Sequence, residues 1–117
     1  MSQSNTQSVT NITTHVLDTA KGCPAAGIAV KLEFFDTEDH WQLLATGKTN
    51  ADGRIMQWLD APAKAGKYRL SFDTGSYHQG KGFFPSVVIE FQIDAADTHY
   101  HVPLLLSPFS YSTYRGS

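Results

Sequence analysis

The residues able to do chemistry near neutral pH are few and widely spaced. His15, His99 and His101 sit in strand-like patterns, Arg54 follows Asp52-Gly53, and Tyr114, Arg115, Gly116 and Ser117 end the chain. An imidazole titrates close to neutrality, so it can take a proton from water and return one to a leaving group. A guanidinium offers a rigid fork of donors to neighbouring carbonyl oxygens. Each residue also has a plainer account. His15 reads as a partly exposed strand histidine on a Thr-rich face, and His101 as a satisfied histidine at an interface. Arg54 reads as a solvated turn arginine, and Tyr114 and Arg115 as edge-strand residues. His15, His99 and His101 together reach the ligand number of some catalytic zinc sites. Nothing beyond the His-x-His spacing supports that alternative, so no metal is expected. His40 and His78 lie in polar, turn-like stretches and are expected to be solvated. Tyr77, Phe83, Phe84, Trp41 and Trp58 read as packing residues, and Asp52 and Asp60 as turn residues.

The elements that must carry these groups are short strands. Successive strand side chains point to opposite faces. From Thr98 to Ser107 this places Tyr100, Val102, Leu104 and Leu106 on a core face and His99, His101, Pro103 and Leu105 on the other. The second face is too apolar for a solvated antiparallel sheet, so something other than bulk water is expected to cover it. Ser107-Pro108-Phe109-Ser110 is a turn, after which Ser112 and Tyr114 share one face and Thr113 and Arg115 the other. Ile12 to Asp18 reads as a strand with Thr13, His15 and Leu17 on one side. Thr19 to Gly27 is a loop. Ile28–Asp36 and Trp41–Thr49 form a hairpin. Asn50-Ala51-Asp52-Gly53 is a turn favouring positive φ. A strand from Arg54 to near Leu59 follows, then Lys67 to Asp73, a short helix within Thr74–Gly82, and Ser86 to Ile93. About eight strands at regular spacing predict an all-β sandwich or barrel.

Composition narrows the class. The chain has 117 residues, 41% hydrophobic and 17% charged, with net charge -2. That suits one domain with its own core. We expect a flexible N-terminal segment over 1–11 and a β-sandwich domain over 12–117. No basic patch points to nucleic acid, and no apolar run points to a membrane. The single cysteine, Cys23, excludes an intrachain disulfide and reads as a turn spectator. The polar start has no signal-peptide pattern and Arg-Gly-Ser is not a peroxisomal address, so a cytoplasmic setting is expected. There is no phosphate-cradling glycine loop and no Gly-x-Ser-x-Gly elbow.

Three stretches carry a family resemblance. His99 to Ser117, ending Tyr114-Arg115-Gly116-Ser117, resembles the C-terminal signature of the transthyretin-like family in its enzymatic branch, the 5-hydroxyisourate hydrolases. Thr13 to Val30 resembles the N-terminal signature, and Thr49 to Arg54 the middle one. The likeness covers the chain after residue 11. Ser110 departs from it, since relatives often carry glycine there, and this touches turn geometry only. The resemblance implies two four-stranded sheets, one short helix after the fifth strand, and a homotetramer built as a dimer of dimers. In that family the terminal strands line a channel between dimers.

The resemblance also gives the scattered residues roles. It brings His15, Arg54 and His101 together as catalytic residues, where transthyretin itself holds lysine, glutamate and threonine. His15, Arg54, Tyr114, Arg115 and Ser117 with its terminal carboxylate become substrate-binding residues. The implied reaction is hydrolysis of 5-hydroxyisourate in urate catabolism, to 2-oxo-4-hydroxy-4-carboxy-5-ureidoimidazoline. It proceeds by histidine-assisted water attack on a cyclic amide, without metal or cofactor. His101 is expected to be the general base and His15 its partner. The alternatives are a non-catalytic carrier of small aromatic ligands on the same scaffold, and an inert β-sandwich interaction module.

Overall fold

The computed structural model describes residues 11–95 and 98–116. In chain order its elements are β1 (Ile12–Asp18), β2 (Cys23–Pro24), β3 (Ala29–Phe35), β4 (Trp41–Lys48), β5 (Arg54–Ile55), β6 (Gly66–Phe72), α1 (Thr74–Tyr77), β7 (Val87–Ile93), β8 (Tyr100–Leu106) and β9 (Tyr111–Thr113). One sheet runs β2-β1-β8-β9 with β5 also on β1, and the other runs β4-β3-β6-β7. This is the expected two-sheet sandwich with one short helix, but the first sheet has five strands instead of four and the helix follows the sixth strand instead of the fifth, because the two-residue β2 and β5 share one edge of β1.

The predicted core faces meet between the sheets. Ile12, Val16, Val102, Leu104 and Leu106 from the first sheet are buried with Val30, Leu32, Tyr68, Leu70, Phe72, Val87, Ile89 and Ile93 from the second. Each fully buried Leu, Ile, Val or Phe contributes roughly 1.5–3 kcal/mol of transfer free energy. Thr14 is a polar member of this core at 0% exposure, and its hydroxyl donates to the Val102 carbonyl at 2.6 Å.

One pairing could not be read locally. β1 and β8 lie side by side in parallel, with Thr13 opposite His101 and His15 opposite Pro103. The other edge of β1 is shared between β2, which pairs Asp18 with Cys23, and β5, which pairs His15 with Arg54. The strand expected from Arg54 to Leu59 is therefore only two residues long. The Ile12 carbonyl, which a longer ladder would use, accepts instead from the Trp58 indole N–H at 2.9 Å. The loop expected over Thr19–Gly27 contains β2, which leaves Cys23 exposed.

Ordered structure already includes Asn11, placed above in the polar leader. It is buried, its amide bonds both ways with the Ala63 backbone, and its carbonyl accepts from Tyr100 N. The rest of that leader, residues 1–10, lies outside the described residues. Tyr77 at the end of α1 donates to Asp18 Oδ2 at 2.7 Å and so ties the helix to β1. Burial would raise the Asp18 carboxyl, but the Tyr77 hydroxyl and the backbone N–H groups of Lys21 and Ala20 outweigh it and hold the group below its usual range. Burial, then the hydrogen bond to Asp18 and the Asp18 charge, push Tyr77 well above the usual phenol value.

Candidate active site

The outward face of the β5-β1-β8-β9 surface gathers the sequence candidates. Register places Arg54 directly across from His15. On the next strand, His101 stands opposite Thr13, two residues before the partner of His15. His15 and His101 are thus diagonal neighbours on one face. A bridge between His101 and Gly116 carries the β8–β9 pairing to the end of the chain. By alternation Tyr114 falls on this same face, beside Pro103, and it is 58% exposed.

Turn chemistry aims Arg54. Gly53 has φ +76°, and a Cβ there would run into the Val16 carbonyl oxygen, so only glycine fits. The Asn50 side-chain oxygen accepts from the N–H groups of Asp52 and Arg54, and Gly53 O accepts from Val16 N at 2.7 Å. The turn read from Asn50 to Gly53 is therefore what presents the guanidinium to His15.

The electrostatics favour neutral imidazoles. His101 is depressed first by burial, then by the charges of Arg54, His15 and His99. His15 is depressed by burial and by Arg54, against an upward pull from a hydrogen bond to the Asp52 backbone and from the Asp52 charge. These are the mutual effects expected of groups sharing one site.

Two supports of His101 escaped the sequence reading. The Thr13 hydroxyl, on a residue only 1% exposed, lies 2.7 Å from His101 Nδ1 and 2.9 Å from His99 Nε2. With Nδ1 held there, Nε2 is the nitrogen left for a substrate. Gly116 lies against the His101 ring, where a Cβ would come 2.6 Å from Cδ2, and its N–H donates to His101 O at 2.8 Å. That Thr13 shares a face with His15 was readable from alternation. That it touches His101 depends on the parallel pairing of distant strands.

Other candidates fall elsewhere. The Arg115 guanidinium sits 4.5 Å over the Tyr100 ring, on the side of the sheet away from His15. A cavity of about 320 Å³ whose lining includes Tyr100, Val102, Thr113 and Arg115 opens there, toward Ile89 to Gln92 of β7. A wider hollow of about 740 Å³ lies on the outer face of the other sheet and contains none of the candidates. Ser117 lies outside the described residues. His40 is exposed as expected, but His78 is only partly so: its Nε2 is buried with no hydrogen-bond partner among the described residues, and Gly82 lies against its ring. Among the described residues no three His, Cys, Asp or Glu side chains are arranged to hold a metal ion.

The HIUase/Transthyretin family matches residues 12–116. The chain belongs to that family. A 5-hydroxyisourate hydrolase of Pseudomonas aeruginosa is 46% identical over 123 residues, covering 95% of this chain and 94% of its own length. The structure of Klebsiella pneumoniae 5-hydroxyisourate hydrolase matches with TM-score 0.79 at 38% identity, covering 91% of this chain and 98% of the other. Sea bream transthyretin in complex with thyroxine matches with TM-score 0.83 at 35% identity, covering 91% and 94%. Backbone similarity therefore does not separate the family's enzymes from its carriers, and the side chains on the β1–β8 face must.

Proposed function

We propose that the protein hydrolyses 5-hydroxyisourate to 2-oxo-4-hydroxy-4-carboxy-5-ureidoimidazoline. The observation that carries this reading is the convergence of His15, Arg54 and His101 on one sheet face, with both imidazoles depressed toward the neutral form. Relatives named 5-hydroxyisourate hydrolase, at 46% identity over nearly the whole chain, give the substrate. His101 Nε2 takes a proton from the attacking water, a role that typically contributes ~10²–10⁴-fold. Arg54 holds adjacent carbonyl oxygens of the flat heterocycle and stabilises the tetrahedral oxyanion, for which one positioned donor is commonly worth about 3 kcal/mol. His15, beside Arg54, orients the attacking water. Tyr114 covers the ring. Arg115, stacked on Tyr100, fixes the path of the terminal residues rather than reaching the substrate directly.

The face is open in a single chain, so we place its closure in a homotetramer, a dimer of dimers. The half-buried Leu105 on the face of His101, the exposed Phe83 and Phe109 on the adjoining loops, and the exposed Tyr111 at the start of β9 support that assembly.

The test is direct. Fresh 5-hydroxyisourate, made with urate oxidase, is followed by its ultraviolet decay. The protein accelerates decay, His101→Ala loses ~10²-fold or more of that acceleration, and Arg54→Ala loses a comparable amount. Full turnover by His101→Ala would overturn the assignment. Binding of aromatic ligands without acceleration would mark a carrier.

A further inference from the structure

The geometry points to a proton relay, His101 Nδ1 to Thr13 Oγ1 to His99 Nε2, that lets His101 act as base and then acid while staying neutral. The relay rests on the hydrolase reading and adds two residues to it.

The two contacts on Thr13 are 2.7 and 2.9 Å, and the hydroxyl is buried between a half-buried ring and an exposed one. A hydroxyl has one proton. Held between two ring nitrogens, it donates to one and accepts from the other, so the tautomers of His99 and His101 are locked together. The rings lie 6.5 Å apart, centroid to centroid, too far for a direct hydrogen bond, and the hydroxyl is what connects them.

The need for a relay comes from charge. His101 faces Arg54 on β5, His15 on β1 and His99 just ahead of its own strand. A full imidazolium there would stand beside a permanent cation on a partly desolvated surface, which is costly. The relay moves that charge away. As Nε2 takes a proton from water, the Nδ1 proton passes to Thr13 Oγ1 and the Thr13 hydroxyl proton passes to His99 Nε2. Water has lost one O–H bond, and His101 has gained one N–H and lost one. The added charge rests on His99, which is exposed and can be hydrated. When Nε2 gives its proton to the leaving nitrogen, the same three atoms run in reverse, and His99 Nε2 returns its proton through Thr13 to His101 Nδ1. Over the cycle the relay gains and loses nothing. The C–N bond of the cyclic amide has broken, a C–O bond has formed, and both water protons are accounted for on the leaving nitrogen and the carboxyl product. His99 and Thr13 never touch substrate, so they are positioning residues.

The experiment compares wild type with His99→Ala, Thr13→Val and Thr13→Ser in the ultraviolet decay assay. His99 is exposed, so its replacement leaves the fold intact. His99→Ala is expected to lower kcat about tenfold with KM unchanged, less than the ~10²–10⁴-fold of losing the base itself, and millimolar imidazole in the medium restores it. Thr13→Ser keeps the hydroxyl and near-full activity. Thr13→Val falls like His99→Ala and is not restored by imidazole. Wild-type kcat in His99→Ala, or a loss that imidazole does not restore, overturns the relay while leaving the hydrolase reading intact. If the wild type does not accelerate decay, that reading fails. The relay is then decided by ¹⁵N chemical shifts of the ring nitrogens: His101 must change tautomer as His99 is protonated, and Thr13→Val must abolish the change. An unchanged His101 tautomer overturns it.

Discussion

His101 is held from three sides, by Thr13 at Nδ1, by Gly116 against the ring, and by its place in the β8 ladder. Such support matters because a general base displaced by even an ångström loses much of its effect. Its protonation follows from its neighbours. Burial first, then Arg54, His15 and His99, keep His101 below the ordinary histidine value of 6.5, and burial and Arg54 do the same for His15. A lowered value means that the neutral, competent form persists to lower pH than in a free imidazole. The acid limb of kcat/KM is accordingly expected below 6.5, and a pH–rate profile checks it; a midpoint above the ordinary value would contradict the assignment. Stability shares the sign. In the interval below 6.5 the unfolded chain binds protons that the folded one refuses, so these histidines' contribution is fully present above 6.5. It declines as pH falls through their lowered values.

At the scale of elements, the site depends on short pieces. β5 has two residues, yet it fixes Arg54 against His15, and the Asn50–Gly53 turn fixes β5. Gly53→Ala is expected to destabilise by roughly 1–3 kcal/mol because φ is positive there, with further cost from the collision with the Val16 carbonyl. Urea denaturation reads the stability loss. The displaced Arg54 should raise KM in parallel, and an unchanged KM would show that the turn does not aim the guanidinium. The sequence made this turn plain, since Asn, Asp and Gly at those spacings leave few alternatives. It did not show how far β5 runs, because the competitor for the Ile12 carbonyl is an indole three residues beyond the strand's end. His78 shows the same limit: its polar neighbours in sequence gave no sign that Gly82 would be folded over its ring.

At the scale of the whole molecule, both sheets end in edges that pair with nothing further among the described residues, β7 on one and β9 on the other. Phe83, Phe84 and Tyr111 form a chain of ring contacts, Phe83 N–H donates to the Pro108 carbonyl, and Phe109 is 73% exposed beside them. Unpaired edges and exposed aromatic side chains are what assembly covers. In light scattering the protein is expected to run at the mass of a tetramer. Phe109→Asp should shift it to a smaller species and lower turnover without unfolding it, because that side chain supports no core. A fully active Phe109→Asp monomer would show that one chain completes the site by itself.

Alternation along each strand is a local property of backbone geometry. The core faces, the odd second face of Thr98–Ser107, the positive-φ turn before Arg54 and the grouping of Ser112 with Tyr114 therefore followed from the residues in order. Which strands become neighbours is a long-range matter, settled by how the two apolar faces close on each other. Only that closure laid β1 parallel to β8, brought Thr13 to two histidines more than eighty positions away, and turned Arg115 onto Tyr100 instead of toward His15.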